Sequence, residues 1–201
     1  HLPDDGVANC LQFSLLLKKE AQALGVRFEF HSTVQPLQRS HPATLQVLRG
    51  EGPAAAHAFD AVVLCGGVDA AGLLRPLGVR LPLAAVHGYS VSAQAGEPLN
   101  APRSGVMDER YKVAITRLGQ RVRVAGSAQI GGRSGHKRPE AIRTLYKVLQ
   151  DWFPAGARLS GPVQEWKGAR AMLPDGPPVL GARGIPGVWL NLGHGSSGWA
   201  L

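Results

Sequence analysis

The chain has 201 residues, 44% of them hydrophobic and 18% charged, with 26 glycines, 15 prolines and a net charge of +8. That balance supports a packed core built from many short elements. Two cysteines, Cys10 and Cys65, exclude a disulfide framework in a chain this long. The basic residues are scattered, and their densest group, Arg133 to Arg138, is short, so no nucleic-acid stripe is expected. No apolar run reaches the length of a transmembrane helix, and the first residues carry neither a signal-peptide pattern nor an initiator Met. That start fits a chain beginning within a longer protein.

In chain order, Phe13, Leu17, Ala21 and Leu24 recur at helical spacing, and Gly25 is placed to end that helix in a left-handed conformation. Val26, Phe28 and Phe30 alternate with Arg27, Glu29 and His31, which predicts a half-buried strand. Leu45 to Leu48 predicts a second, followed by the turn Gly50-Glu51-Gly52-Pro53. Ala61 to Cys65 is a continuous apolar run, the pattern of a strand covered on both faces, with Cys65 itself read as a buried small side chain. Gly66-Gly67 and a short helix from Asp69 to Leu74 follow, a strand–glycine turn–helix order.

The middle of the chain changes character. Val86 to Ala93, Tyr111 to Arg117 and Arg121 to Ala125 predict strands, the last two joined by a hairpin at Leu118-Gly119-Gln120. Pro139 and Glu140 suit a helix first turn, Ile142, Leu145, Leu149 and Trp152 give its apolar face, and Pro154 ends it. Val163 to Lys167 and Val188 to Leu192 predict further strands, and Gly193 opens a turn into a short helix from Ser197 to Leu201.

Three stretches then carry a resemblance. Trp166 to Gly181, with Gly168-Ala169-Arg170 and Pro174-Asp175-Gly176, and Leu190 to Trp199, with Gly193-His194-Gly195-Ser196-Ser197-Gly198, resemble the C-terminal signature of D-amino-acid dehydrogenases. Met107 to Gly119 and the opening Leu2-Pro3-Asp4-Asp5 resemble further segments of the same group, within the D-amino-acid oxidase superfamily of flavin enzymes. Ala171 stands where the family usually has Pro. The chain also lacks the N-terminal βαβ dinucleotide-binding unit.

The resemblance implies an α/β fold with an inserted α+β part: an incomplete FAD-binding layer plus an antiparallel-sheet substrate domain. The expected division is 1–80 as partial FAD-binding domain, 81–168 as substrate-binding domain, and 169–201 as a return to the FAD-binding domain. It implies FAD as cofactor and oxidation of a D-amino acid: hydride leaves Cα for the flavin, and water hydrolyses the imino acid to a 2-oxo acid and ammonia. Electrons would pass to a respiratory-chain acceptor. The implied setting is cytoplasmic, with association at the inner face of a bacterial inner membrane and homo-oligomerisation left open.

Arg170 is the leading site candidate, because a guanidinium fork binds a planar carboxylate with two parallel charge-assisted bonds; the alternative is a structural bond to Asp175. The family places Gly193, His194, Gly195, Ser196, Ser197 and Gly198 at the flavin, where a helix start would offer N–H groups to reduced flavin. Val34, Cys65, Gly66 and Gly67 match positions near the adenine and pyrophosphate. Tyr89, Tyr111, Lys112 and Ser196 are expected to line the substrate cavity. No close metal-ligand spacing, Gly-x-Ser-x-Gly or Walker loop is present, so no metal site is expected. A sarcosine- or glycine-oxidase-like enzyme, a tRNA-modifying flavoenzyme domain and a non-catalytic module of the same fold remain open alternatives. The chain by itself is expected to be catalytically silent.

Overall fold

The computed structural model describes residues 6–41, 43–133, 135–196 and 198–199. It divides into two compact units. One joins the described residues up to Arg27 with His87–Gly168, and the other joins Phe28–Val86 with those from Ala169 onward. The expected segmentation had kept the first 80 residues together; the first helix instead groups with the middle of the chain.

The first unit opens with α1, Cys10–Ala23. Its N-cap Asn9 accepts a 3.3 Å hydrogen bond from the Gln12 N–H, and Gly25, at φ +90°, ends it as expected. No residue of α1 is buried, and Leu11, Leu15, Leu16 and Leu17 are all more than half exposed.

A six-stranded sheet follows from β5 (Ala84–Ala95), β6 (Val106–Asp108), β7 (Val113–Leu118), β8 (Arg121–Ile130), β9 (Ala157–Arg158) and β10 (Gln164–Met172). Its order is β10-β5-β8-β7-β6, with β9 on β5. The two-residue turn Gly119-Gln120 joins β7 to β8 in antiparallel register, Ile115 opposite Val124. The helix α3, Pro139–Trp152, covers one face. It buries Ile142, Leu145, Val148 and Leu149 against Tyr89, Val91, Val113, Ile115, Val122 and Val124. Each such side chain contributes roughly 1.5–3 kcal/mol of transfer free energy.

The second unit holds two three-stranded sheets. In one, β1 (Ser32–Val34), β2 (Thr44–Arg49) and β3 (Ala55–Ala58) are antiparallel. In the other the order is β11-β12-β4, from β4 (Val62–Leu64), β11 (Val179–Ala182) and β12 (Val188–Leu192), and β12 runs parallel to β4. The short helix α2, Ala70–Leu74, seals its inner face with Leu37, Leu64, Leu190 and Leu192.

Several expectations change. Residues 26–31 alternate but take no strand conformation; His31 is left-handed at φ +55°, and β1 begins only at Ser32. Val62 and Leu64 are buried, but Val63 is 59% exposed and Cys65 is exposed, because β4 is an end strand covered on one face. Tyr111 and Lys112 lie in the turn before β7. Gly195, Ser196, Gly198 and Trp199 are turns with no helix start among them, while Ser197 and the last two residues lie outside the described residues. No helix among the described residues is long and apolar enough to cross a membrane.

Candidate functional site

Parallel pairing places the carboxyl ends of β4 and β12 side by side, with Leu190 opposite Leu64. Each strand runs directly into a glycine turn, Cys65-Gly66-Gly67 after β4 and Gly193-His194-Gly195 after β12. In open α/β sheets, ligands settle outside such carboxyl ends. Gly67 is left-handed at φ +57° and nothing lies within 4 Å of where its Cβ would point; at Gly66 only Ala70 comes within that distance. This turn therefore leaves room for a ligand to approach the backbone.

The second turn is more constrained. A Cβ on Gly193 would lie 2.6 Å from Leu173 Cδ1, and one on Gly198 would lie 2.3 Å from His194 Cβ. Both glycines are needed by the packing of the chain itself. Gly193, Gly195 and Gly198 do have the spacing Gly-x-Gly-x-x-Gly after a strand. Its first and last members are explained by these close approaches, and turns rather than a helix follow in the described residues. Gly195, left-handed at φ +58°, meets only Met172 carbons, at 3.5 Å or more.

Arg170 lies on β10 beside this turn. The Gly195 N–H donates to the Ala171 carbonyl at 3.0 Å, and Met172 bridges antiparallel to His194. Among the described residues, no hydrogen bond or ion pair engages the exposed Arg170 guanidinium. The structural alternative, a bond to Asp175, is not formed. His194 and Gly195 are half-buried and Ser196 is exposed. The structure thus brings Arg170, Gly193, His194 and Gly195 together, and Cys65-Gly66-Gly67 shares the sheet edge of the second turn. Val34 belongs to the other sheet of this unit, paired with Val47, and is half-buried.

The expected cavity residues of the first unit are placed elsewhere. Tyr89 is 2% exposed in the core beneath α3; its hydroxyl donates to Gln129 and accepts the Arg138 N–H at 3.3 Å. Tyr111 packs against that same core, with the Arg110 and Lys147 cations 5.2 and 5.5 Å from its ring centre. Lys112 is exposed and paired with Glu109. All three are corrections: the strand alternation that turns Tyr89 toward α3 turns it away from the open sheet face, and the turn residues follow the packing of α3.

Sequence reasoning missed Asp108. Its carboxylate accepts the Trp152 indole N–H at 2.7 Å and the Tyr111 backbone N–H at 2.7 Å. These bonds, the indole first, hold its pKa below the ordinary aspartate value. The second bond is an Asp turn bonded three residues on, a signal present in Asp108-Glu109-Arg110-Tyr111.

Residues 1–201 match the family model described as FAD dependent oxidoreductase. A D-amino acid dehydrogenase of Bradyrhizobium diazoefficiens is 42% identical over 200 residues, covering 100% of this chain and 47% of the relative. One from Allorhizobium ampelinum is 40% identical over 199 residues, covering 99% and 46%. The chain therefore spans about half the length of the curated relatives it matches. Among solved structures, glycine oxidase from Geobacillus kaustophilus matches with TM-score 0.74 at 22% identity, over 92% of this chain and 48% of that one. L-alpha-glycerophosphate oxidase from Mycoplasma pneumoniae, with FAD bound, matches with TM-score 0.72 at 16% identity, over 92% and 50%. At these identities the structural likeness shows the fold alone.

Proposed function

Because this chain belongs to the FAD dependent oxidoreductase family, we propose that it forms the carboxylate clamp and the flavin-edge turns of an enzyme that oxidises D-amino acids. The observation that carries this reading is Arg170: a guanidinium with no partner among the described residues, fixed next to a glycine turn by the Gly195–Ala171 hydrogen bond. The relatives named D-amino acid dehydrogenase, alike over the whole chain, supply the substrate class.

The open backbone at Gly66 and Gly67, on the same sheet edge as the turn after β12, fits the approach of a dinucleotide. Cys65, Gly66 and Gly67 would hold its phosphate side, with Val34 toward the adenine. His194, Gly195 and Ser196 would border the ring through backbone groups, as would Ser197, which lies outside the described residues. Bound FAD supplies the two-electron acceptor for the hydride leaving the substrate Cα.

Arg170 does the positioning. Two parallel bonds to the substrate carboxylate restrict rotation of the amino acid and present one face of Cα. The Met172–His194 bridge keeps that strand and the turn in fixed register, so clamp and ring border move as one. The role expected of Ser196, as a second polar contact to substrate, rests on its exposed place in the turn. The unit formed by residues 28–86 and 169–201 would carry the flavin contacts, and the other unit would be the substrate-binding domain. Electrons would leave for a respiratory-chain acceptor, which would bring the whole protein to the inner face of the membrane as a peripheral enzyme.

A hybrid tests this, with the present chain replacing the matching segment of the Bradyrhizobium relative. The expected hybrid binds FAD and reduces an artificial electron acceptor with D-alanine. A flavin-loaded hybrid that turns over sarcosine or glycine and no D-amino acid would reverse the substrate assignment.

A further inference from the structure

The sheet of the first unit has a second face, and its alternation is unusual. On β8, Val122 and Val124 enter the core at 1% and 0% exposure, so Arg121 and Arg123 stand on the face away from α3. That face is framed by the start of α1 and by β10, which enclose a hollow of about 450 Å³. The volume lies in the range of small-molecule sites, roughly 300–1,000 Å³.

The lining carries two guanidinium groups and no carboxylate. Arg121 is anchored: its Nε donates to Ser92 Oγ at 3.0 Å and its Nη2 to the Ser92 carbonyl at 2.7 Å. Arg123 is half-buried and forms no hydrogen bond or ion pair with another described residue. Two like charges share this space, one with its donor fork free, so the hollow favours an anion. Leu11, Leu118 and the ring of Trp166 supply apolar walls, beside the polar side chains of Asn9, Ser90 and Gln164. A Cβ on Gly168 would fall 1.8 Å from Trp166 Cη2, so the indole occupies the space that a side chain at that glycine would fill. Inorganic phosphate or a nucleic-acid backbone would leave these walls wet, whereas an amphipathic acid satisfies both parts.

We propose that this hollow binds a small organic monocarboxylate with a flat apolar body, its carboxylate on Arg123 and its body against Trp166. The site rests on residues of this unit alone and does not depend on the role given to Arg170.

The test is a titration of the 201-residue chain with 3-phenylpropionate, followed in ¹H–¹⁵N spectra at the Trp166 indole N–H, which Trp166→Phe identifies. The expected result is a saturable shift, about tenfold weaker with the neutral 3-phenylpropionamide and about tenfold weaker in Arg123→Gln. Inorganic phosphate at the same concentration is expected to leave the indole signal in place. No saturable shift, equal affinity for acid and amide, unchanged affinity in Arg123→Gln, or the same shift with phosphate would each overturn the proposal. Should Arg123→Gln lose its dispersed spectrum, Arg123→Lys and the acid–amide comparison in the unaltered chain decide.

Discussion

The Ala171 carbonyl accepts the Gly195 N–H at 3.0 Å, one residue from Arg170 on one side and one from His194 on the other. The strand that carries Arg170 and the turn are thereby held by backbone rather than by side chains, so changing the Arg170 side chain leaves the turn intact. In the hybrid enzyme, Arg170→Lys is expected to raise KM for a D-amino acid about 10- to 100-fold, the loss of one charge-assisted bond. The flavin spectrum is expected to stay unchanged. Steady-state kinetics beside the absorbance spectrum check this; loss of flavin together with activity would show Arg170 to be structural.

Asp108 predicts a pH effect. Trp152 and the Tyr111 N–H lower its pKa in the folded state. The folded state therefore binds the proton less readily than the unfolded chain, and the stabilisation is full above the unfolded pKa of about 3.9. It is lost as pH falls from there through the lower folded value. Asp108→Asn is expected to lower Tm at neutral pH and to flatten its decline below about pH 4. Thermal unfolding across an acid series reads both, and parallel curves for the two proteins would refute the assignment.

Glycines separate packing from strain. A Cβ on Gly96 would lie 2.0 Å from the Ala155 carbonyl oxygen, a backbone atom that cannot swing aside. Gly96→Ala is expected to cost about 1–3 kcal/mol or prevent folding. Gly67→Ala meets open space and only a left-handed φ of +57°, so about 1–2 kcal/mol is expected. Denaturant unfolding of the two variants ranks them, and the reverse order would contradict the close approach at Gly96.

The helix α1 has no buried residue and shows large apolar side chains, including Leu11 at 69% and Leu16 at 62% exposure. Such a surface is expected to self-associate in water. Leu16→Glu is expected to change unfolding stability by less than about 0.5 kcal/mol while reducing association in sedimentation velocity. A large loss of stability would show that this face is covered within the chain.

The 201-residue chain itself is expected to form no stoichiometric yellow complex with FAD. In its Gly-x-Gly-x-x-Gly string, a Cβ on the first glycine would meet Leu173 and one on the last would meet His194. Flavin absorbance after gel filtration settles the point, and tight retention of one FAD per chain would be contrary to it.

Local chemistry was enough for some features. Ile142, Leu145 and Leu149 repeat at helical spacing and do face the core, and Gly25 and Gly119 mark a helix end and a hairpin through their positive φ. These depend on neighbours in sequence, which fix backbone dihedrals and the direction of each side chain. Other properties depended on segments far along the chain. Residues 26–31 alternate like a strand yet adopt no strand conformation, and Val63 looks buried yet faces outward because β4 has no covering layer there. The close approach of Leu173 to Gly193 likewise joins residues far apart in sequence and is not visible from the glycine's own neighbours. Arg121 and Arg123 alternate visibly with Val122 and Val124, but the hollow they enter exists only because α1 and β10 meet their sheet. Periodicity specifies which way a side chain points; tertiary packing alone decides whether protein, water or a ligand waits there.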